Sequence, residues 1–387
     1  MNFYGYLREN GSVGVRNYIL VLSSVVCANH VCTRITEESG NKNVVAFCHS
    51  NGCGQIGKDR EQTFRTLAGI GKNPNVSAVL VVGLGCEGVS AQKIADEVSK
   101  TGKPVKFLLI QTCGGTSATI ESGVKIVREF ENHRSKQERV PVDLEKLVVA
   151  LECGGSDATS GITANPLVGE TSDKIIGAGG TVILSETTEM IGAEHILSSR
   201  AVCCNVKARV NKIVEDVEKS AESMHVDLRG TQPTPGNIEG GLSTIEEKSL
   251  GCLAKAGKAC VKSVIDYGEC PPCNGLIIMD TPGFDVESIT GMLAGGAQIV
   301  FFTTGRGTPV GSPIAPVIKI TGNPETVNNM RENIDFDASP ILDGKISISA
   351  ASGLLYSLMI KVISGVQTCS EILGHRESSI TRIGPSV

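Results

Sequence analysis

Apolar residues in the first third of the chain fall into short unbroken runs, separated by stretches with helical spacing. The runs at 18–23, 44–47, 78–82 and 105–110 predict strands, and 28–38, 62–70, 90–99 and 117–130 predict the helices between them. Strands that are apolar on both faces and alternate with amphipathic helices predict a parallel sheet covered on both sides. The charged stretch 131–143, with Pro141 inside it, offers too little apolar surface to pack well and is the expected boundary. Beyond it, runs at 147–151, 182–184, 276–279, 299–302 and 316–320 predict a second α/β unit. The pattern predicts an α/β protein of two domains, residues 1–138 and 139–387, the first a three-layer unit built on a parallel sheet. A Pro/Gly-rich crossing, 229–241, reads as an ordered functional loop on that scaffold.

Composition narrows the class. With 41% hydrophobic and 20% charged residues and a net charge of -5, the chain falls among ordinary globular proteins, and nothing favours a nucleic-acid or membrane surface. The start, MNFYGYLREN, has no apolar signal region and the apolar runs are too short to span a bilayer, so a cytoplasmic protein is expected. Fourteen cysteines without an export signal predict free thiols and not a disulfide scaffold.

Open parallel sheets bind ligands beyond the carboxyl ends of their strands. Here those ends carry thiols and polar groups: Cys27 after the first strand, Cys48, His49 and Cys53 after the second, Cys86 and Glu87 after the third, Cys113 after the fourth, and Glu152, Cys153 and Asp157 after the fifth. A single free cysteine is most often a small buried residue. A set of them in glycine-rich turns suits soft-metal binding, which makes Cys53, Cys86 and Cys153 candidate iron or iron-sulfur ligands. Gly83, Gly85 and Gly88 spell a dinucleotide fingerprint, but the next strand ends in Gln111 where a ribose-binding acid is needed. Cys270 and Cys273 have the spacing of a zinc pair with no second pair, and read as a surface turn.

In the second unit, Glu186, Glu189, Glu194 and His195 crowd ten residues after a strand, where they could ligate a divalent ion, move protons, or charge a helix start. Arg306 lies between glycines after the 299–302 run, suited to taking an anion bidentately, and Asn237 and Lys319 are weaker candidates of that kind.

Taken together, Gly14–Asn17, His49–Cys53, Gly83–Glu87, Glu152–Asp157, Ser160–Pro166, Ser185–Glu189, Gly192–His195, Thr234–Asn237, Thr303–Pro309 and Gln367–Cys369 resemble the altronate/galactarate dehydratase family. The large subunit of sulfolactate sulfo-lyase also belongs to it. The resemblance runs nearly end to end. It implies a dimerising α/β domain followed by a Rossmann-like variant domain that carries the metal, with Fe2+ as the usual activator. Fused members begin with a small β-clip domain; here the Gly14–Asn17 motif comes almost at once, so a separate small β-clip subunit is the expected partner of a homodimeric large subunit.

The implied reaction is β-elimination from a small 2-hydroxy acid: the C2 proton leaves, hydroxide or sulfite is expelled from C3, and the enol becomes a 2-keto acid. His49, Asp157 and Glu186 are the expected proton carriers. Arg306, Thr308, Lys319, Asn165 and Asn237 are the expected substrate contacts, and Cys53, Cys86, Cys153, Glu186 and Glu189 the expected metal ligands. Dehydration of a sugar acid is ranked ahead of sulfite release from sulfolactate. Two alternatives remain: a [4Fe-4S] cluster on Cys53, Cys86 and Cys153, and a non-catalytic iron or thiol-redox binding protein.

Overall fold

The computed structural model describes residues 2–387. Two all-parallel sheets dominate it. The first has four strands in the spatial order Val44–Phe47, Tyr18–Ser23, Val76–Gly83, Val105–Leu109. Every residue of Val76–Gly83 is buried, as an unbroken apolar run in a central strand requires, whereas the edge strand Val105–Leu109 is half open. Helices Asn29–Ser39 and Thr116–Arg134 cover one face through Val31, Ile35, Ile120, Val124 and Phe130. Helices Gly57–Lys72 and Ala91–Ser99 cover the other.

The second sheet has seven strands, in the order Val261–Ile265, Gly275–Met279, Thr181–Leu184, Val148–Gly154, Ile299–Thr304, Val317–Thr321, Phe336–Asp337. One face packs against helices Ala164–Gly177 and Ile348–Ile363. The other shares a core with the first sheet: Leu67 and Ile70 from the first unit meet Ile289, Met292 and Leu293 of helix Asp285–Ala294, with Ala150, Ile183, Ile277 and Phe302 beneath.

The stretch expected to be a loose boundary is ordered. The helix runs on to Arg134, and Val140–Asp143 pairs antiparallel with Asn2–Leu7, which in turn pairs with Val13–Gly14. Phe3 of this small sheet is fully buried, which anchors a segment too charged to pack by itself. The chain end also returns to the first sheet: Asn51 donates to the Ile380 carbonyl and Arg382 pairs with Asp59 at 2.9 Å.

Candidate metal centre and active site

Strand Val148–Gly154 is followed in sequence by Thr181–Leu184 on one side, while Ile299–Thr304 pairs on the other. The chain therefore reverses its direction of winding at this pair, and the crevice beyond their carboxyl ends is where an open parallel sheet binds its ligand. The backbone N–H groups of Gly305 and Arg306 both donate to the Gly155 carbonyl, which locks the two strand ends together.

Beneath this crevice lies a buried group of four metal-ligating side chains, Cys153, Glu186, Glu189 and Cys252, with one ligand atom from each within 4.8 Å of the others. Cys153 ends a strand, and Glu189 lies on the 3-10 turn Thr187–Met190. Cys252 comes from helix Ile245–Leu253, capped by Thr244. The Cys153 and Cys252 sulfurs lie 2.6 and 2.5 Å from Glu189 Oε2, and 3.4 Å from each other. Glu186 receives the Cys153 N–H at 2.9 Å and sits at φ 65°, a left-handed conformation that costs a non-glycine residue about 1–3 kcal/mol. Its own N–H donates to Thr281 Oγ1 at 2.7 Å, and the next N–H donates to the Thr281 carbonyl, so the surroundings hold the strained turn.

Two lysines complete the group. Lys255, fully buried, reaches Glu186 Oε2 at 2.6 Å and Glu189 Oε2 at 3.7 Å. Lys248 reaches Glu189 Oε1 at 3.1 Å from the rim. Burial alone would raise the Glu189 pKa, but Lys248, Lys255 and the two thiols outweigh it and hold that carboxyl below the usual range. Glu186 goes the other way, driven up by burial and by the Glu189 charge. The Cys252 contact and burial push the Cys153 thiol well up. A donor set of two sulfurs and two carboxylates, enclosed and crowded onto one carboxylate oxygen, fits a borderline divalent cation.

A cleft of about 290 Å³ opens beside the group, lined by Ser156, Asp157, Asn165, Lys248 and Cys252 among others. A second, of about 310 Å³, lies on the far side of Lys248 along Thr188, Ile245 and Phe284. Lys248 thus stands between the buried carboxylates and both openings.

The residues expected from sequence divide clearly. Cys153, Glu186 and Glu189 come together. Cys53 and Cys86 are exposed, in loops after strands of the first sheet, and neither enters a metal-ligating group among the described residues. His49 is buried there too: its Nδ1 accepts the Asn51 N–H at 3.1 Å, so Nε2 carries the proton and donates to the Ser23 carbonyl at 2.9 Å. Asp157 lines the cleft. Its Oδ1 takes three donors from Thr159 and Ser160 as a helix cap, and Oδ2 takes one, from Asn323. Asn165 is engaged with Thr303 and the Gly251 carbonyl.

Asn237 ties segment Pro235–Glu239 to the Ser156 carbonyl, and Arg306 joins the same segment through the Gly236 carbonyl and Glu239. The predicted functional loop 229–241 is therefore ordered and docked on the crevice. Lys319 is fully buried and holds the Pro309 and Val310 carbonyls, while Thr308 Oγ1 accepts the Val310 N–H. Both shape the loop after Ile299–Thr304.

Cys252 and Lys255 escaped the sequence reading because they follow no strand, and Lys248 entered it only within the Glu247–Lys248 piece of the family resemblance, with no role assigned. The spacing was nonetheless a signal: Lys248 and Cys252 are four apart, on one face of helix Ile245–Leu253, and Lys255 follows three further on in the next 3-10 turn.

Residues 5–134 match the family described as D-galactarate dehydratase/altronate hydrolase, second domain, and residues 144–386 match D-galactarate/altronate dehydratase, C-terminal. The (2R)-sulfolactate sulfo-lyase subunit beta of Chromohalobacter salexigens is 40% identical over 98% of this chain and 97% of its own length. The altronate dehydratase of Bacillus subtilis is 37% identical over 99% of this chain and 78% of its own. For the galactarate dehydratase (L-threo-forming) of Escherichia coli the figures are 34%, 94% and 73%. Two matched segments spanning nearly the whole chain, and relatives aligned over 98 and 99% of it, establish that it belongs to the D-galactarate/altronate dehydratase family.

Proposed function

We propose that this chain is the large subunit of a cytoplasmic lyase that eliminates a group β to the carboxylate of a small 2-hydroxy acid, yielding a 2-keto acid. The observation that carries the reading is the enclosed Cys153–Glu186–Glu189–Cys252 group beside a polar cleft at the strand ends. The thiolates and carboxylates suit Fe2+, which when bound supplies a Lewis acid for charge developing on an enolate oxygen.

The chain's own groups account for the rest. Lys248 presents an ammonium group at the cleft and pairs with the substrate carboxylate. Arg306, half exposed on the same edge, takes a second anionic or hydroxyl-bearing end. Of the expected proton carriers, Asp157 lines the cleft, and its Oδ2, with one donor, keeps a lone pair for the C2 proton. Glu186 serves as ligand, and His49, with both ring nitrogens engaged, as a structural support of the first sheet.

Dehydration of a sugar acid of the altronate or galactarate type is the first reading. Sulfite release from sulfolactate is the second, favoured by the 40% identity to a sulfo-lyase subunit along its whole length. That relative's name also marks it as one subunit of a larger enzyme, which supports a separate small partner here. The test is an anaerobic assay of the iron-loaded chain, alone and with a co-expressed β-clip protein, on altronate, galactarate and sulfolactate. Formation of 2-keto acid that depends on iron and increases with the partner is expected, with sulfite distinguishing the second reading. No turnover of any of the three by the complex overturns the proposal. Gel filtration of the same preparation reads the expected homodimer of large subunits.

A further inference from the structure

Glu152 precedes Cys153 on strand Val148–Gly154, so its side chain leaves the opposite face from the Cys153 thiol. It joins Glu186 and Asp285 in a second group, with one carboxylate oxygen from each within 4.8 Å of the others. Glu152 is fully buried and Glu186 almost so, and each has one oxygen, Oε1, with no hydrogen-bond partner. A buried carboxylate oxygen without a donor carries its full desolvation cost, and two of them in one group call for a cation.

The backbone makes room for the third member. A Cβ on Gly154 would lie 2.2 Å from Asp285 Oδ2, so a side chain there would displace the Asp285 carboxylate from this position. On the other side, Glu152 Oε2 accepts from Ser288 Oγ at 2.6 Å and from Ser185 Oγ at 3.3 Å, which fixes the carboxylate and leaves Oε1 without a donor.

We propose that Glu152, Glu186 and Asp285 form a second, all-oxygen site for a hard divalent cation such as Mn2+ or Mg2+, adjoining the thiol-bearing site and sharing Glu186 with it. The inference rests on the metal reading of the thiol group. Three carboxylates are ligands for hard ions, while the two sulfurs next to them select a softer one, so one pocket holds two different preferences. Ion pairing agrees: Lys255 and Lys248 reach Glu186 and Glu189, while Glu152 and Asp285 have no salt-bridge partner among the described residues. Paired ions sharing a carboxylate recur in enzymes that stabilise charge at two oxygens at once.

The experiment is metal titration of the stripped full chain under anaerobic conditions. Co2+ reports the thiol site by its sulfur charge-transfer absorption, and Mn2+ reports the oxygen site by its magnetic resonance signal. The wild-type chain is expected to bind two ions, Asp285→Asn only the Co2+ that gives the charge-transfer band, and Cys252→Ser only the Mn2+. Glu152→Gln should match Asp285→Asn and replaces it if that variant does not fold. Saturation of the wild-type chain at one ion, or two ions still bound by both carboxylate variants, overturns the inference. Lyase turnover by a chain that saturates at one ion would overturn the second site while leaving the proposed reaction intact; two ions without turnover of any hydroxy acid would do the reverse.

Discussion

Lys255 has no exposed surface, and its ammonium group holds Glu186 at 2.6 Å. Removing one partner of a buried ion pair leaves the other uncompensated, which costs far more than the pair contributes. In the metal-free chain Lys255→Met should therefore lower stability by about 3–5 kcal/mol in urea denaturation, and an unchanged midpoint would show that Glu186 is neutral there. Asp157 offers a cleaner test of chemistry, since asparagine keeps an oxygen for the Ser160 cap. Asp157→Asn should reduce kcat by about 10²–10⁴ with metal content unchanged; full activity removes Asp157 from proton transfer.

His49 makes a prediction about pH. Burial, only partly offset by the bond to the Ser23 carbonyl, lowers its pKa from 6.5 to about 4. The unfolded chain therefore binds this proton more readily than the folded one between those values, and stability rises with pH across the window. The contribution is complete above 6.5 and is lost as pH falls towards 4. The difference in Tm between the wild-type chain and His49→Gln should narrow along that descent, and a difference independent of pH would refute a buried neutral imidazole.

At the scale of elements, the four strands of the first sheet and the five inner strands of the second were legible because a strand covered on both faces is an unbroken apolar run, and their ends led directly to Cys153, Glu186 and Glu189; the second sheet's edge strands, Val261–Ile265 and Phe336–Asp337, are partly open and were not read. What escaped obeyed other rules. Asn2–Leu7 alternates exposed and buried residues in a sheet of three short strands, and Val140–Asp143 has no fully buried residue. Cys252 sits in helix Ile245–Leu253, whose pattern looks ordinary until Lys248 on the same helix and Lys255 in the 3-10 turn Ala254–Ala256 that follows are set beside it. The thiols of the first sheet showed the reverse problem: Cys53 and Cys86 share the strand-end signature of Cys153, yet two different sheets separate them from it.

The docked segment Pro235–Glu239 carries a prediction at this scale. Asn237 donates to the Ser156 carbonyl and accepts from Thr234, and Ala158 N–H donates to the Gly240 carbonyl at 2.9 Å. Asn237→Ala should leave the Ser156 carbonyl unpaired at a cost of about 1–3 kcal/mol. Hydrogen exchange should quicken across 229–241 and KM should rise, with metal content constant. Unaltered exchange in that segment would mean that other contacts hold it.

On the scale of the molecule, the two sheets do not stand apart as separate bodies. Asn73 Nδ2 donates to the Leu293 and Ala297 carbonyls at 2.8 Å, and Asn75 Nδ2 donates to those of Gln298 and Ile314 at 2.8 and 2.9 Å. All four bonds cross from the first sheet's side to the second, and all are buried. Between them helices Gly57–Lys72 and Asp285–Ala294 approach so closely that a Cβ on Gly69 would lie 2.4 Å from the Ala294 carbonyl oxygen. The shared core leaves neither sheet a complete apolar interior without the other. Unfolding should therefore be one cooperative transition, with calorimetric and van't Hoff enthalpies in agreement. Gly69→Ala forces the helices apart and should cost about 1–3 kcal/mol, the range for overpacking a tight contact. Because that contact joins both halves, the single transition should move to lower temperature without dividing. Two resolved transitions, or a Gly69→Ala scan in which one half melts at its original temperature, would show instead that the sheets fold independently and that the buried asparagine bonds only dock them.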